Sequence, residues 1–373
     1  MEKWPIKKLG EVINTIESGK RPKGGAASAG IPSLGVEHIT QEGGFDFSEL
    51  KFIPESFYEG LTNGKINYGD ILIAKDGATT GKTAFVGESF PFAKAAVNEH
   101  LFIIRGKKSL VLQKFLFFFL LSPIGQNQIL KNKHGAAQGG IDKSFINFIK
   151  IPIPPISIQQ KIVERLDAIR KAQELNDKQI ELAEELFQSL LHRELDPKGK
   201  KWEIKKLKNL IKINYGKGLE KSKRIENGKY FAYGSNGPIY KTNEFLINYP
   251  TIIIGRKGAA GAVFLVEKPC WPIDTTFYVE IKDNDKVNLY FLYFTFLIMN
   301  LQNLAIITAV PGINRDNLYN LEISLPPLET QQKIVEKLSA VQEYKKKLLE
   351  RKQKLQELFE SVLDKSFKGE LAE

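Results

Sequence analysis

The chain carries the same pattern twice. IQQKIVERL from Ile158 to Leu166 returns as TQQKIVEKL from Thr330 to Leu338, and WPIKKLGEV from Trp4 returns as WEIKKLKNL from Trp202. A duplicated unit of this length, a globular segment followed by a long helical one, restricts the fold to two similar heads on a common frame. A chain of 373 residues is too long for one ordinary core and suits two domains with connecting structure.

Within each unit the order of elements is the same. A short amphipathic stretch (residues 4–14; 202–214) leads into a Gly- and Lys-rich loop, SGKRPKGGAASAG from Ser18 and YGKGLEKSKRIENGK from Tyr215. Apolar, β-branched runs follow, ILIA at Ile71 and TIIIG at Thr251, and each meets a glycine turn and a second run, AFV at Ala84 and AVFLV at Ala262. That pattern predicts β-hairpins. A further strand is expected at HLFIIR from His100 and TFYVEI from Thr276. The aromatic runs LQKFLFFFLLS from Leu112 and LYFLYFTFLIM from Leu289 are too short to span a bilayer and read as buried core helices. The heads are therefore α+β.

Proline pairs, Pro154-Pro155 and Pro326-Pro327, end each head and stiffen the start of a long helix. In the first helix Ile162, Leu166, Ile169, Ala172, Ile180, Ala183, Leu186, Phe187 and Leu190 recur at helical spacing. In the second, Ile334, Leu338, Val341, Tyr344, Leu348, Leu355, Leu358, Phe359 and Val362 do the same. These are apolar seams of the coiled-coil kind, each about 36 residues or about 54 Å long. The second helix can bury its stripe by returning antiparallel along the first, which predicts two similar heads with pseudo-two-fold symmetry, joined by two long antiparallel coiled-coil helices. The expected boundaries are 1–155 and 197–327 for the heads, and 156–196 and 328–373 for the helices.

Net charge is +11, and its location matters more than its sum. Residues 1–155 hold 19 Lys and Arg against 14 Asp and Glu, and residues 197–327 hold 19 against 11, so the excess sits on the heads. Such surfaces attract a polyanion, nucleic acid first. No run of 18 apolar residues and no signal-peptide core occurs, which predicts a cytoplasmic protein without a membrane partner. A single cysteine, Cys270, leaves no internal disulfide, and His38, His100, His134 and His192 lack metal-ligand spacing.

GATTGKT (Gly77 to Thr83) falls one residue short between its glycines for a phosphate-binding loop, and a strand-like AFV follows it where a helix is required. Asp274, Glu280 and Lys282 have the residue types of a metal-dependent nuclease, yet the first unit lacks the set. Neither an S-adenosylmethionine loop nor an (N/D)-P-P-(Y/F) motif is present; NYPT at Asn248 is not one.

The QQKIVERL and QQKIVEKL segments after PIPP and SLPP, the W.IKKL starts, and the SNGPIY and GRKGAAGAV segments together resemble the specificity subunit of type I restriction-modification systems over essentially the whole chain. The resemblance implies a non-catalytic subunit whose two heads are target-recognition domains on double-stranded DNA, spaced by the helices. It also implies two modification subunits docked on this chain and restriction subunits in the larger complex. Those partners would carry S-adenosylmethionine, ATP and Mg²⁺; this chain would need no cofactor and no metal. Lys171, Lys178 and Glu181 on the first helix, and Lys345, Arg351 and Lys352 on the second, lie off the seam and are available to partners. The alternative is a scaffold that binds nucleic acid without reading it.

Base edges are read by Arg or Lys on guanine, Asn or Gln on adenine and acidic groups on cytosine. Loop residues of these types are Lys20, Arg21, Lys23, Lys75, Asp76, Lys82 and Gln138 in the first head, and Lys221, Lys223, Arg224, Tyr233, Asn236, Arg256, Lys257 and Arg315 in the second. Because the loops differ, the half-sites are expected to differ. The helix length bounds the gap between them at about 16 base pairs, at 3.4 Å per step.

Overall fold

The structure, a computed structural model, describes residues 4–134, 139–305 and 311–370. The chain divides into two compact units, Met1–Asp177 with Arg351–Glu373, and Lys178–Glu350. Each therefore contains one head and a half of each long helix.

In the first unit, β1 (Ile6–Lys8), α1 (Leu9–Val12) and β2 (Ile13–Ser18) form the opening stretch, so what reads as one amphipathic segment is strand, turn and strand. After them come β3 (Ile31–Leu34), β4 (Phe52–Ile53), α2 (Glu55–Glu59), β5 (Ile71–Ala74), β6 (Thr83–Phe85), β7 (Ala96–Val97) and β8 (Leu101–Gly106). Two core helices, α3 (Gln113–Leu121) and α4 (Pro123–Lys131), precede β9 (Lys150–Pro152). A four-stranded sheet β2-β8-β5-β6, a three-stranded sheet β4-β3-β7 and the pair β1-β9 result.

The long helix α5 (Ile156–Leu195) follows directly on the first proline pair, and the Pro155 carbonyl accepts from the backbone N–H of Ile158 and Gln159 to start it. The second head then repeats the plan: β10 (Glu203–Lys206), α6 (Leu207–Leu210), β11 (Ile211–Tyr215), β12 (Tyr230–Gly234), β13 (Gly237–Thr242), β14 (Thr251–Gly255), β15 (Val263–Val266), β16 (Cys270–Pro272), β17 (Thr276–Ile281), α7 (Leu289–Met299), α8 (Arg315–Tyr319) and β18 (Glu322–Leu325). Its sheets are β11-β17-β14-β15, β13-β12-β16 and β10-β18. In both heads the middle strand of the three-stranded sheet has one antiparallel and one parallel neighbour. The final helix α9 (Leu328–Lys368) starts after the second proline pair.

The aromatic runs are buried helices, as their composition requires. Phe115 through Leu120 are all fully buried, which makes α3 apolar on every side that packing can reach; each such Phe contributes about 1.5–3 kcal/mol of transfer free energy. The GATTGKT segment is a hairpin turn between β5 and β6, with Gly81 at φ +91° and its counterpart Gly261 at +87°. Both positions need the left-handed region that glycine reaches without strain.

The core of the first unit takes in Ile162 and Leu166 from α5 together with Phe359, Leu363 and Phe367 from α9. The core of the second takes in Phe187, Leu191 and Leu195 from α5 and Ile334 and Leu338 from α9. Within each unit the two helices run antiparallel. In the first, Gln173 Nε2 donates to Gln356 Oε1 at 3.1 Å and Lys352 pairs with Asp177 at 2.9 Å; in the second, Lys345 pairs with Glu184 and Lys337 with Glu194, the latter at 3.1 Å. Lys345 and Lys352, off the seam by spacing, are thus engaged between helices. Three seam positions are corrected: Leu186 (50% exposed), Tyr344 (49%) and Leu358 (48%) face outward. Each helix packs on a head as well as on its partner helix, which rotates the buried face towards Leu191, Leu195, Leu363 and Phe367.

Candidate nucleic-acid interface

The glycine turn after the second long strand of each main sheet is held by one backbone network, built twice. In the first head the Lys75 N–H donates to the His100 carbonyl at 3.0 Å, the Lys75 carbonyl accepts from Ile141 at 2.8 Å, Gly77 N–H donates to Gly139 at 3.2 Å and Gly81 N–H to Ala74 at 2.8 Å. In the second the Arg256 N–H donates to Thr275 at 2.9 Å, its carbonyl accepts from Ile313 at 2.9 Å, Gly258 N–H donates to Pro311 at 3.0 Å and Gly261 N–H to Gly255 at 2.8 Å. Lys75 and Arg256 are therefore equivalent, as are Asp76 and Lys257. The strand registers make Ser18 and Tyr215 equivalent too.

On this shared frame the side chains differ. In the first head Asp76 Oδ2 lies 2.8 Å from His100 Nδ1, His100 Nε2 lies 3.4 Å from Glu99 Oε1, and Arg21 Nε lies 3.2 Å from the same carboxylate. Glu99 Oε2 is shielded and has no hydrogen-bond partner among the described residues. The Lys75 ammonium sits 5.4 Å from the Phe102 ring. This is a mixed surface with carboxylate acceptors, the chemistry that meets an exocyclic amino group.

In the second head the corresponding surface is cationic and aromatic. The guanidinium carbons of Arg256 and Arg315 each lie 5.2 Å from the Tyr215 ring centroid, and Arg315 also lies 5.8 Å from Tyr319. Arg256 Nη1 donates to the Asp274 carbonyl at 3.2 Å, and Arg315 Nε is shielded without a partner among the described residues. Two guanidinium planes held by one phenol ring are suited to guanine edges or phosphate. Lys257 beside them is exposed.

The remaining candidates are spread more widely. Lys20, Lys23 and Lys221 are exposed, and Asn236 is exposed in the two-residue turn between β12 and β13. Lys82 is half-buried, its ammonium 3.5 Å from the Ile39 carbonyl. Lys223 pairs with Glu244 at 2.9 Å, and that hydrogen bond holds its pKa above the ordinary lysine value. Arg224 donates twice to the Leu219 carbonyl and lies 4.3 Å from the Tyr240 ring. Tyr233 is half-buried against the cluster of Ile253 and Cys270, and burial pushes its phenol up. Gln138 lies outside the described residues.

Four participants escape a residue-by-residue reading of the sequence: Glu99, His100, Tyr215 and Tyr240. The signal available for the last two is the interleaving of aromatic and basic residues along 215–241, the pattern of a stacking surface. Two of the three nuclease-type residues are otherwise occupied: Glu280 faces Lys212 at 3.6 Å across the strand pair, and Lys282 donates to the Lys208 carbonyl at 2.6 Å. Among the described residues no group of three or more His, Cys, Asp or Glu could hold a metal ion, and no helix is long and apolar enough to cross a membrane.

The family model described as Type I restriction modification DNA specificity domain matches residues 1–185 and again residues 199–358. The type I restriction enzyme MjaVIII specificity subunit of Methanocaldococcus jannaschii is 25% identical over 98% of this chain and 91% of its own length. The EcoKI specificity subunit of Escherichia coli K12 is 30% identical over 37% of this chain and 29% of its own length. Among solved structures, the type I restriction-modification S subunit of M. genitalium superposes with a TM-score of 0.66 at 14% identity, covering 98% of this chain and 96% of that one. A chain from a study of complex assembly and conformational transition of the type I R-M system gives a TM-score of 0.64 at 19% identity, covering 100% and 99%. With two copies of the domain spanning nearly all of its length, this chain belongs to the type I restriction-modification DNA specificity family and is a specificity subunit of such a system.

Proposed function

We propose that the chain reads a bipartite, asymmetric site on duplex DNA, one head per half-site, with the antiparallel helices setting an unread gap and docking two modification subunits. Restriction subunits join in the larger complex, in the cytoplasm. Methyl transfer from S-adenosylmethionine and ATP- and Mg²⁺-dependent translocation and cleavage belong to those partners, and this chain acts without catalysis. Helices of 40 and 41 residues rise about 60 Å, so the gap is at most about 18 base pairs at 3.4 Å per step.

The observation that carries this reading is a single backbone frame bearing unlike side chains. Lys75, Asp76 and His100 on one copy answer to Arg256, Lys257 and Thr275 on the other, with matching main-chain hydrogen bonds beneath them. A scaffold that binds any duplex needs positive charge alone. Acceptors in one head and guanidinium groups in the other are what two different half-sites require.

Binding of the assembled complex to duplexes altered in one half-site at a time, at several salt concentrations, tests the reading. The expected result is a loss confined to particular base pairs, about 1–3 kcal/mol at each. Equal affinity for every duplex, with a salt slope alone, would instead identify the scaffold.

A further inference from the structure

We infer that the cleft on the β12–β13 hairpin of the second head reads a thymine through its 5-methyl group. The inference rests on the DNA-reading assignment above and adds to it a base and the side chains that meet it.

The cleft, of about 400 Å³, is lined by Arg224, Ile225, Phe231, Ile239, Tyr240 and Lys241 among others. Its floor is apolar and open: Ile225 is 40% exposed, Phe231 47%, Ile239 43% and Tyr240 39%. Along β12 the buried Ala232 points into the head, so its neighbour Phe231 points out. Alternation accounts for Phe231 alone; the adjacent Ile239 and Tyr240 are both exposed where the β12–β13 register shifts and leaves Ile239 as an extra, bulged residue. β13 is the edge strand of the three-stranded sheet β13-β12-β16, so the cleft lies at a sheet edge.

Fixed cations stand at the edges of this floor. The Arg224 guanidinium, tied by two hydrogen bonds to the Leu219 carbonyl, lies 4.3 Å from the Tyr240 ring, and the Lys241 ammonium lies 5.4 Å from the Phe231 ring. Glu226 also borders the cleft, leaving two cations against one carboxylate. An apolar floor between positive groups complements an apolar group flanked by phosphates. On a duplex the apolar group that the major groove displays is the thymine methyl. An apolar protein partner would not call for the cationic rim.

The test uses the assembled complex and its bipartite duplex, with each thymine replaced in turn by uracil, which removes the methyl and keeps base pairing. Wild-type complex is expected to bind about fourfold more weakly at one position, the value of one buried methyl group. At that position complexes carrying Phe231→Ala or Ile239→Ala should bind thymine and uracil equally. Both side chains are substantially exposed, so folding is spared, and the wild-type arm needs no variant. The inference is overturned if every replacement is neutral while site-specific binding persists, or if the uracil penalty survives in both variants. It is equally overturned if the variants lose a modification subunit by size-exclusion chromatography while keeping DNA discrimination. Absence of any site-specific binding by the wild-type complex overturns the DNA-reading assignment itself.

Discussion

Gln159 and Gln331 make the same three hydrogen bonds, one set in each unit. Gln159 Oε1 accepts from the Leu112 N–H at 2.8 Å, and its Nε2 donates to the carbonyls of Leu110 and Pro154 at 3.0 and 2.9 Å. Gln331 accepts from Asn288 at 2.8 Å and donates to Lys286 and Pro326, both at 2.8 Å. Both side chains are fully buried. The repeated QQKIVE motif is therefore a clamp that joins the first turn of a long helix to the start of its head's core helix.

Gln159→Leu leaves one N–H and two carbonyls without partners, each costing about 1–3 kcal/mol. A destabilisation of about 3 kcal/mol is expected for the first unit from Gln159→Leu and for the second from Gln331→Leu. Hydrogen exchange resolved by residue should show each loss confined to its own unit.

Asp70, 2% exposed, receives a two-point contact from Arg105 at 2.6 and 2.7 Å and a third bond from the Asn67 N–H at 2.8 Å. The Asp70 carboxylate raises the Arg105 pKa by hydrogen bonding, so the guanidinium stays charged. Asp70→Ala removes the two-point partner of a part-buried guanidinium and should cost about 3 kcal/mol, at the lower end for breaking a buried pair because Arg105 keeps Glu17 at 3.1 Å and some solvent. The shift of the chemical denaturation midpoint measures it.

The Cys270 thiol is buried and its pKa is pushed up to about 12 by burial. It should resist alkylation at pH 8 in the folded protein and react fully in denaturant. Because the raised value belongs to the folded state, the unfolded thiol ionises first, so this contribution to stability is complete below pH 9 and declines as pH rises towards 12. Reactivity of the native protein at pH 8 equal to that in denaturant would contradict the placement.

Tyr215→Ala releases the guanidinium groups of Arg256 and Arg315 from a common ring, whereas Tyr215→Phe keeps the ring. Arg256→Ala and Tyr215→Ala are expected to weaken discrimination in one half-site by about 1–3 kcal/mol, leaving the other half unchanged, and Tyr215→Phe should retain it. Binding to duplexes varied in one half at a time checks this; uniform loss across all sequences would mark Arg256 as a phosphate contact.

Much of the frame is legible in the residues. The duplicated WxIKKL and QQKIVE segments mark equivalent positions, Pro154-Pro155 and Pro326-Pro327 precede the helix starts, and the aromatic runs become the buried α3 and α7. The seam is only partly legible, since Leu186, Tyr344 and Leu358 satisfy helical spacing but point outward. Spacing defines a stripe, and the heads packed beside it decide which edge is covered. The candidate site is less legible because it is tertiary. Glu99 and His100 meet Arg21 and Asp76 only after β8 pairs back on β5, and Tyr215 meets Arg256 and Arg315 from segments about 40 and 100 residues away.

Mapping methylated bases in DNA exposed to the assembled complex tests the central claim most directly. One motif with two unlike halves and a single fixed gap of at most about 18 base pairs is the predicted result. Methylation at one uninterrupted motif, at halves separated by variable gaps, or at positions sharing no sequence would contradict it.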